Sequence, residues 1–387
     1  MKLTAKNLSK ASAFDPAGRV PMKNKPSVSV IILNYNGRRF LSKCLSSVLR
    51  TRYPSFEVIL VDNGSTDESL NVAIDIAATN KRLRIVKNSK NLGFGPANNI
   101  GFEYATGDYI VFLNNDTAVD PDWLDVLVDV MEKDQTIGLA QSMILSMNGN
   151  TLQTAGWLVS DYWVFLHSIV SADETQMGQF PDVFEISYAS GTAMITRRKL
   201  IQEIGLFDAK YFWFYDDNYL SFKTWIADKR VVTVSKSKVY HVGGGTSGWG
   251  NFFTARHATI CLISLVFDVY RNLLRLTKAL FVLNFYIIIT SLKRLVEQRE
   301  TTRIWANISA IWWILKNLRH IWRSRLKYWS NARIDEKTLL SRMIRIHIPT
   351  SIYLVSSPAK LLWLCLKNET AKYQRSLVHA SQDHMQA

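Results

Sequence analysis

Three short apolar runs in this chain end in side chains able to grip a polar ligand. They finish in Asn34-Tyr35-Asn36, in Asp62-Asn63-Gly64-Ser65 and in Asn114-Asn115-Asp116. Amides and carboxylates arriving where a strand should stop suit a crevice that receives ligands at strand carboxyl ends. Each run alone also fits an ordinary turn or helix cap. Three together favour a site, with Asp116 at its rim. Farther along, FYDDNYLSFK carries adjacent carboxylates, Asp216 and Asp217. Such neighbours raise each other's pKa when both are buried, and they equally suit the first turn of a helix. Before them the aromatic run YFWFY, Tyr211 to Tyr215, could stack on a sugar or sit in a core.

These groups need a scaffold, and the chain supplies one. From Ser27 onward β-branched runs such as VSVIILNYN, FEVILVDNGS, LRIVKN and DYIVFLNND alternate with helical stretches such as RRFLSKCLSSVLR and ESLNVAIDIAAT. At least four strands in a βαβα series follow. Because the runs are apolar on both sides, the expected fold class is α/β, a mainly parallel sheet with helices on both faces. The glycines of NLGFGPANN match neither a P-loop nor a dinucleotide fingerprint. ATP and dinucleotide folds are therefore disfavoured.

At 387 residues the chain is long enough for one large domain and an appendage. Its formal net charge of +15 points to polyanions or an anionic membrane surface. The basic residues accompany long apolar helices instead of a nucleic-acid reading motif, so nucleic acid is not an expected partner. Cys44, Cys261 and Cys365 have neither zinc-site nor disulfide spacing, which suits a reducing, cytoplasmic setting. Residues 1–26 contain no continuous apolar stretch and read as a flexible tail, not a secretory signal.

After His257 the alternation stops. Between Arg271 and Arg345 stand sixteen Lys or Arg against four acids, together with Trp305, Trp312, Trp313, Trp322 and Trp329. The longest uncharged run there, Ala279 to Leu292, is 14 residues, whereas a spanning helix wants about 20. The expectation is a set of basic, Trp-rich helices lying on anionic lipid, not a clean transmembrane segment. The other reading is a helical subdomain packed on the α/β domain.

The ordered pieces VSVIILNYNG, VDNGSTDES, NLGFGPANNIGF, GDYIVFLNNDT, SGTAMITRRKLIQEIGLFDAKYFWFYDDNYLSFK and VYHVGGGTSG resemble the family 2 glycosyltransferases of GT-A fold, especially the rhamnosyltransferase-like branch. The resemblance covers roughly Ser27 to His257. It implies a catalytic domain over 27–257 and a membrane-associating helical region over 258–387. It also implies that Asn34, Tyr35 and Asn36 line a nucleotide base pocket, that Asp62 touches base or ribose, and that Asn99 and Asn115 lie on the donor side. LNNDT corresponds to the family's metal-holding DxD-like element. Asp116 is its one carboxylate here, for Mg²⁺ or Mn²⁺ against the donor diphosphate, and His241 matches a further metal ligand. For the base of an inverting transfer the matching residue is Asp217, with Asp216 beside it. Gly191 and Trp213 fall on the acceptor side. Tyr219 and Lys223 stand where an aspartate and an arginine are common.

The activity so implied is inverting transfer of a sugar, rhamnose among the candidates, from a dTDP- or UDP-sugar to a hydroxyl of a lipid-linked glycan, at the inner face of the cell membrane in polysaccharide synthesis. The alternative is a non-catalytic glycan- or membrane-binding relative, which Asn114 and Tyr219 suggest and which the presence of both Asp116 and Asp217 opposes.

Overall fold

A computed structural model of the protein describes residues 25–159, 166–168, 180–214, 216–243 and 251–344. Expectations for the tail through residue 24, for Tyr215, for the glycines at 244 and 245, and for the chain beyond 344 lie outside the described residues. The N-terminal half folds as the alternation implies. Strands β1 (Val28–Asn34), β2 (Phe56–Asp62), β3 (Leu83–Lys87) and β4 (Tyr109–Asn114) are separated by helices α1 (Arg38–Leu49), α2 (Ser69–Thr79) and α3 (Phe94–Tyr104). The strands pair in parallel in the order β4-β1-β2-β3. Their register sets Asn34 against Asp62 and Leu33 against Asn114, so the three polar endings finish level on one rim.

The chain continues through β5 (Thr117–Val119), α4 (Trp123–Lys133), β6 (Ile137–Ser146), β7 (Leu152–Thr154), β8 (Trp157–Val159), β9 (Leu166–Ser168), β10 (Val183–Glu185) and β11 (Ala193–Arg197). Helices α5 (Arg198–Ile204) and α6 (Asp216–Ile226) then lead to β12 (Arg230–His241). The sheet runs β10-β12-β6-β11-β4-β1-β2-β3, with β5 added to β12 and β7 to β6, while β8 and β9 form a separate ribbon. Four of the seven neighbour pairs along this path are parallel. The ASGTAMI run forms β11, an antiparallel strand between β6 and β4.

Alternation along each strand builds two cores. Val30 and Ile32 face α1 and α4, whereas Ile31 faces α3, α6 and α7. The sheet is thus covered on both sides, as expected.

Among the described residues four helices follow: α7 (Phe252–Val269), α8 (Leu273–Gln298), α9 (Thr302–Ser330) and α10 (Glu336–Ile344). Helix α7 runs straight through the boundary expected at 257. Ile260, Leu283, Ala310, Ile321 and Trp329 belong to the same core as Ile31 and Phe112. Polar ties reinforce the packing: Thr259 Oγ1 donates to Asn307 Oδ1 at 2.7 Å, Trp329 Nε1 to the Asp268 carbonyl at 2.8 Å, and His320 meets Asp208 at 2.8 Å. The inner faces of these helices are therefore part of the same fold as the sheet.

The outer faces are different, because α8 and α9 expose large apolar residues. Leu274 is 79%, Phe281 73%, Val296 80% and Trp312 59% exposed. Helix α8 is 26 residues long and, by length and composition, apolar enough to cross a membrane. Lys278 and Lys293 bound the uncharged run but do not end the helix, so a count between charges understates its apolar length.

Candidate active site

Asn34 organises the rim. Its amide nitrogen shares its two hydrogens among Asp62 Oδ1 at 3.0 Å, Ser65 Oγ at 3.1 Å and Ser69 Oγ at 2.9 Å, and its oxygen accepts from Asn115 Nδ2 at 2.8 Å. Asn34 and Asp62 are buried, so both hold the ends of β1, β2 and β4 together. Gly37 is required at this junction, since a Cβ there would overlap both Asn115 Nδ2 and Asn34 Oδ1. Above this layer Tyr35 is half-buried and Asn36 is exposed. Asn36 adopts φ +50°, a left-handed conformation that asparagine tolerates better than most residues. Its side-chain oxygen accepts from the Thr66 amide at 2.8 Å, which ties the first strand end to the second turn.

A second cluster stands beside β4. Strand β5 pairs antiparallel with the end of β12, setting His241 opposite Thr117. Asp116, the preceding residue, is thereby brought to His241, with Oδ1 3.2 Å from Nε2. Both side chains are largely buried. Gln153, on β7, completes the arrangement. Its Nε2 donates to the His241 carbonyl at 2.8 Å, and its Oε1 lies 2.9 Å from His241 Nδ1. A carbonyl only accepts, so the amide orientation is fixed and Nδ1 must carry the hydrogen. In neutral imidazole Nε2 then turns a lone pair toward Asp116. Two acceptors so close call for a proton or a cation between them. Among the described residues no third His, Cys or carboxylate joins the pair to form a closed metal cage. One carboxylate and one imidazole fit a hard divalent ion that takes its other ligands from phosphate and water.

The third cluster closes the same end of β4. Asn114 N donates to the Thr192 carbonyl at 3.0 Å, which places the loop before β11 against the LNNDT turn. From that loop Gly191 N donates to Asp217 Oδ2 at 3.2 Å, and Asn218 N donates to Asp217 Oδ1 at 2.8 Å. Asp217 lies in the first turn of α6, as the capping reading foresaw. Burial raises its pKa, and the amides of Gly191 and Asn218 oppose that rise. Asp216 is buried more deeply, and its Oδ1 has no hydrogen-bond partner. Burial first, and then the charge of Asp217, hold its pKa well above the carboxylate range. Of the two, Asp217 is the less buried and the one whose carboxylate two backbone amides meet.

Two further expected residues lie off the strand-end layer. Asn99 spends both ends of its amide on the Phe207 backbone, at 2.9 and 3.2 Å, away from the strand-end layer. Trp213 stacks on Phe214 with ring centroids 4.0 Å apart and reaches Phe253 at 5.4 Å. The two unusual residues after the acidic pair are explained by packing. Tyr219 meets the Tyr328 ring of α9 at 4.9 Å, and the buried Lys223 ammonium donates to the carbonyls of Gly205 and Leu206. Gln153 had no signal in the sequence, because only the β6-β7 hairpin brings it beneath His241.

Residues 29–205 match the family described as Glycosyl transferase family 2. The chain carries a family 2 glycosyltransferase domain. Over 116 residues this chain is 34% identical to an uncharacterized glycosyltransferase of Haemophilus influenzae, covering 30% of the chain and 36% of that protein. It is 24% identical over 214 residues to glycosyltransferase GlyA of Streptococcus pneumoniae, covering 54% and 30%. To the O-antigen biosynthesis protein RfbC of Myxococcus xanthus it is 27% identical over 232 residues, covering 58% and 18%. The chain thus spans well under half the length of these relatives. Among solved structures, GalNAc-T7 with UDP, GalNAc and Mn²⁺ has a TM-score of 0.52 at 21% identity, over 64% of this chain and 48% of that one. S. aureus TarS 1-349 in complex with UDP-GlcNAc has a TM-score of 0.50 at 16% identity, over 82% and 91%. These likenesses are of fold, and the expected GT-A architecture is met.

Proposed function

We propose that this glycosyltransferase domain moves a sugar, with inversion, from a nucleoside diphosphate donor to a hydroxyl of a growing glycan. One observation carries the proposal: the Asp116–His241 pair and the Asp217 carboxylate flank the same end of β4, one through β5 and the other through the Gly191 loop. A phosphate-holding side and a base side so share one crevice.

On the donor side Tyr35 and Asn36 are the accessible members that would meet the nucleotide, with Asn34, Asp62 and Asn115 fixing the layer beneath them. Asn99 would act at longer range, by holding Phe207 against α3. Asp116 and His241 would bind Mg²⁺ or Mn²⁺, which supplies charge neutralisation for the departing diphosphate. Asp217, held by two backbone amides, would take the acceptor hydroxyl proton as that oxygen attacks the anomeric carbon. A Cβ on Gly191 would press slightly on the Phe94 ring, at 3.3 Å, and lie in ordinary contact with Asp217, at 3.4 Å, so the glycine leaves the most room beside the base.

Relatives named for O-antigen biosynthesis and chondroitin synthesis support a place in polysaccharide assembly, and a lipid-linked acceptor is our reading of the apolar C-terminal helices. The apolar outer faces of α8 and α9, with Lys278, Lys316, Arg319 and Arg323 among them, support attachment to anionic lipid at the cytoplasmic face. The deciding experiment is calorimetric titration of the full chain with dTDP, UDP and GDP, each with and without Mn²⁺. Metal-dependent binding of one nucleotide is expected and names the donor class, dTDP favouring a rhamnose-type sugar. If folded protein binds none of them, the proposal fails.

A further inference from the structure

A cavity of about 490 Å³ lies between the 210–214 loop and helices α7 and α9. Its walls are mostly rings, among them Tyr211, Phe212, Trp213, Phe253 and Trp313. The polar side chains between them are Lys210, Arg256 and His257, and no carboxylate or amide side chain lines it. That imbalance is informative. A glycan hydroxyl both donates and accepts, so a site built for neutral sugar offers both kinds of partner. This lining offers donors and positive charge, and asks the ligand to bring the acceptors.

Arg256 sharpens the point. Its Nε donates to Ser309 Oγ at 3.0 Å, and its Nη1 lies 3.3 Å from His257 Nε2. His257 Nδ1 faces the Phe253 carbonyl at 2.9 Å, so Nδ1 carries the hydrogen and Nε2 accepts from Arg256. Both partners of the guanidinium are neutral. Among the described residues no ion pair to Arg256 is formed, although it is partly buried. A cation held this way among aromatic rings is best completed by an anion with an apolar body.

The cavity also has a place in the mechanism. Ile260, in its wall, adjoins Cys261, whose thiol donates to the Phe214 carbonyl at 3.0 Å and lies 3.6 Å from the Asn218 amide. The next residue back is Asp217. On the far side Trp313 lines the cavity while its neighbour Trp312 is exposed on the apolar outer face of α9.

We propose that this cavity binds the lipid phosphate of the acceptor, with the phosphate at Arg256 and Lys210 and the first part of the hydrocarbon chain among the rings of Trp213, Phe253 and Trp313. The inference rests on the transferase reading above for the word acceptor; the ligand chemistry rests on the cavity alone. It predicts that a single-chain alkyl phosphate binds where neither its chain nor its phosphate suffices.

The test uses the full chain, decyl phosphate below its micelle concentration, decanol and inorganic phosphate, with tryptophan fluorescence and calorimetry as readouts. Decyl phosphate should bind at least tenfold more tightly than either fragment. Arg256→Gln should weaken it by about 10 to 100-fold, the worth of one hydrogen bond to a charged group, and Arg256→Lys should recover part of the loss. Nucleotide binding by Arg256→Gln should match wild type, which shows that the variant is folded. Equal binding of decyl phosphate by wild type and Arg256→Gln, or equal binding of decyl and inorganic phosphate, overturns the proposal. Arg256-dependent binding of decyl phosphate by a protein that binds no nucleotide would keep the lipid-phosphate site and remove the transferase reading.

Discussion

Gln153 offers the sharpest test of how the metal side is built. Its amide spans the His241 carbonyl and Nδ1, at 2.8 and 2.9 Å, and so selects the tautomer that turns the Nε2 lone pair to Asp116. Replacing it by leucine keeps bulk on β7 but removes the acceptor opposite Nδ1. A neutral hydrogen bond is worth about 0.5 to 1.5 kcal/mol net, and one to a charged group about 1.5 to 3. When Nε2 binds a divalent ion the imidazole N–H becomes strongly polarised, so the upper range applies. That corresponds to a loss of about 10 to 100-fold in metal affinity, in line with partners of metal-bound histidines generally.

The assay is Mn²⁺ titration in the presence of the nucleoside diphosphate that the full chain prefers, followed by Mn²⁺ spin resonance, which needs no turnover. Gln153→Leu should shift the titration by that factor. Gln153→Glu, which retains an acceptor for Nδ1–H, should shift it less. His241→Ala sets the limit for loss of the ligand itself. If Gln153→Leu binds Mn²⁺ like wild type while His241→Ala does not, the hydrogen bond has no orienting role and the tautomer argument is wrong.

Other predictions follow from the same geometry. Asp217→Asn should lower kcat by about 100-fold or more while leaving nucleotide binding intact, and wild-type turnover in that variant would remove Asp217 as the base. Because burial raises the Asp217 pKa and a base must be ionised to act, activity should fall as pH drops through a value above the usual aspartate range; a limb at or below about 4 would contradict this. Gly37→Ala should cost about 1 to 3 kcal/mol in urea denaturation, since the new methyl forces Asn34 and Asn115 apart; an unchanged midpoint would show that the rim relaxes freely. Phe281→Asp combined with Val296→Asp should release the protein from anionic vesicles in sedimentation without altering nucleotide binding, and undiminished sedimentation would refute attachment through α8.

Legibility in the sequence divides along physical lines. The β1 to β4 half was readable because buried parallel strands write themselves as apolar runs, and because their polar endings mark the rim. Local signals of this kind need no knowledge of pairing. The Asp116–His241 contact is of another sort: it depends on the β5-β12 ladder joining residues more than a hundred positions apart, and only the family likeness linked them. Gln153 had not even that, being one polar residue on a short strand. Nor could the antiparallel insertion of β11 be foreseen, since ASGTAMI has the same apolar character as its parallel neighbours.

The C-terminal helices show why a linear count misleads in a second way. Membrane attachment and packing were set against each other as alternatives, yet α8 and α9 each have an inner face in the catalytic core and an outer face rich in exposed Phe, Leu and Trp. A helix has room for both, because each face takes roughly half the residues of every turn. The consequence reaches the site. Phe253, His257 and Ile260 come from the mostly buried α7 and Trp313 from α9, so α9 both lines this cavity and carries part of the exposed apolar outer face. Removing the region after residue 256 would unroof that cavity and strip Ile260, Leu283 and Ala310 from the core shared with Ile31. A chain cut there would lose its fold together with any hold on lipid, so substitutions on the outer faces are what separates the proposed membrane binding from catalysis.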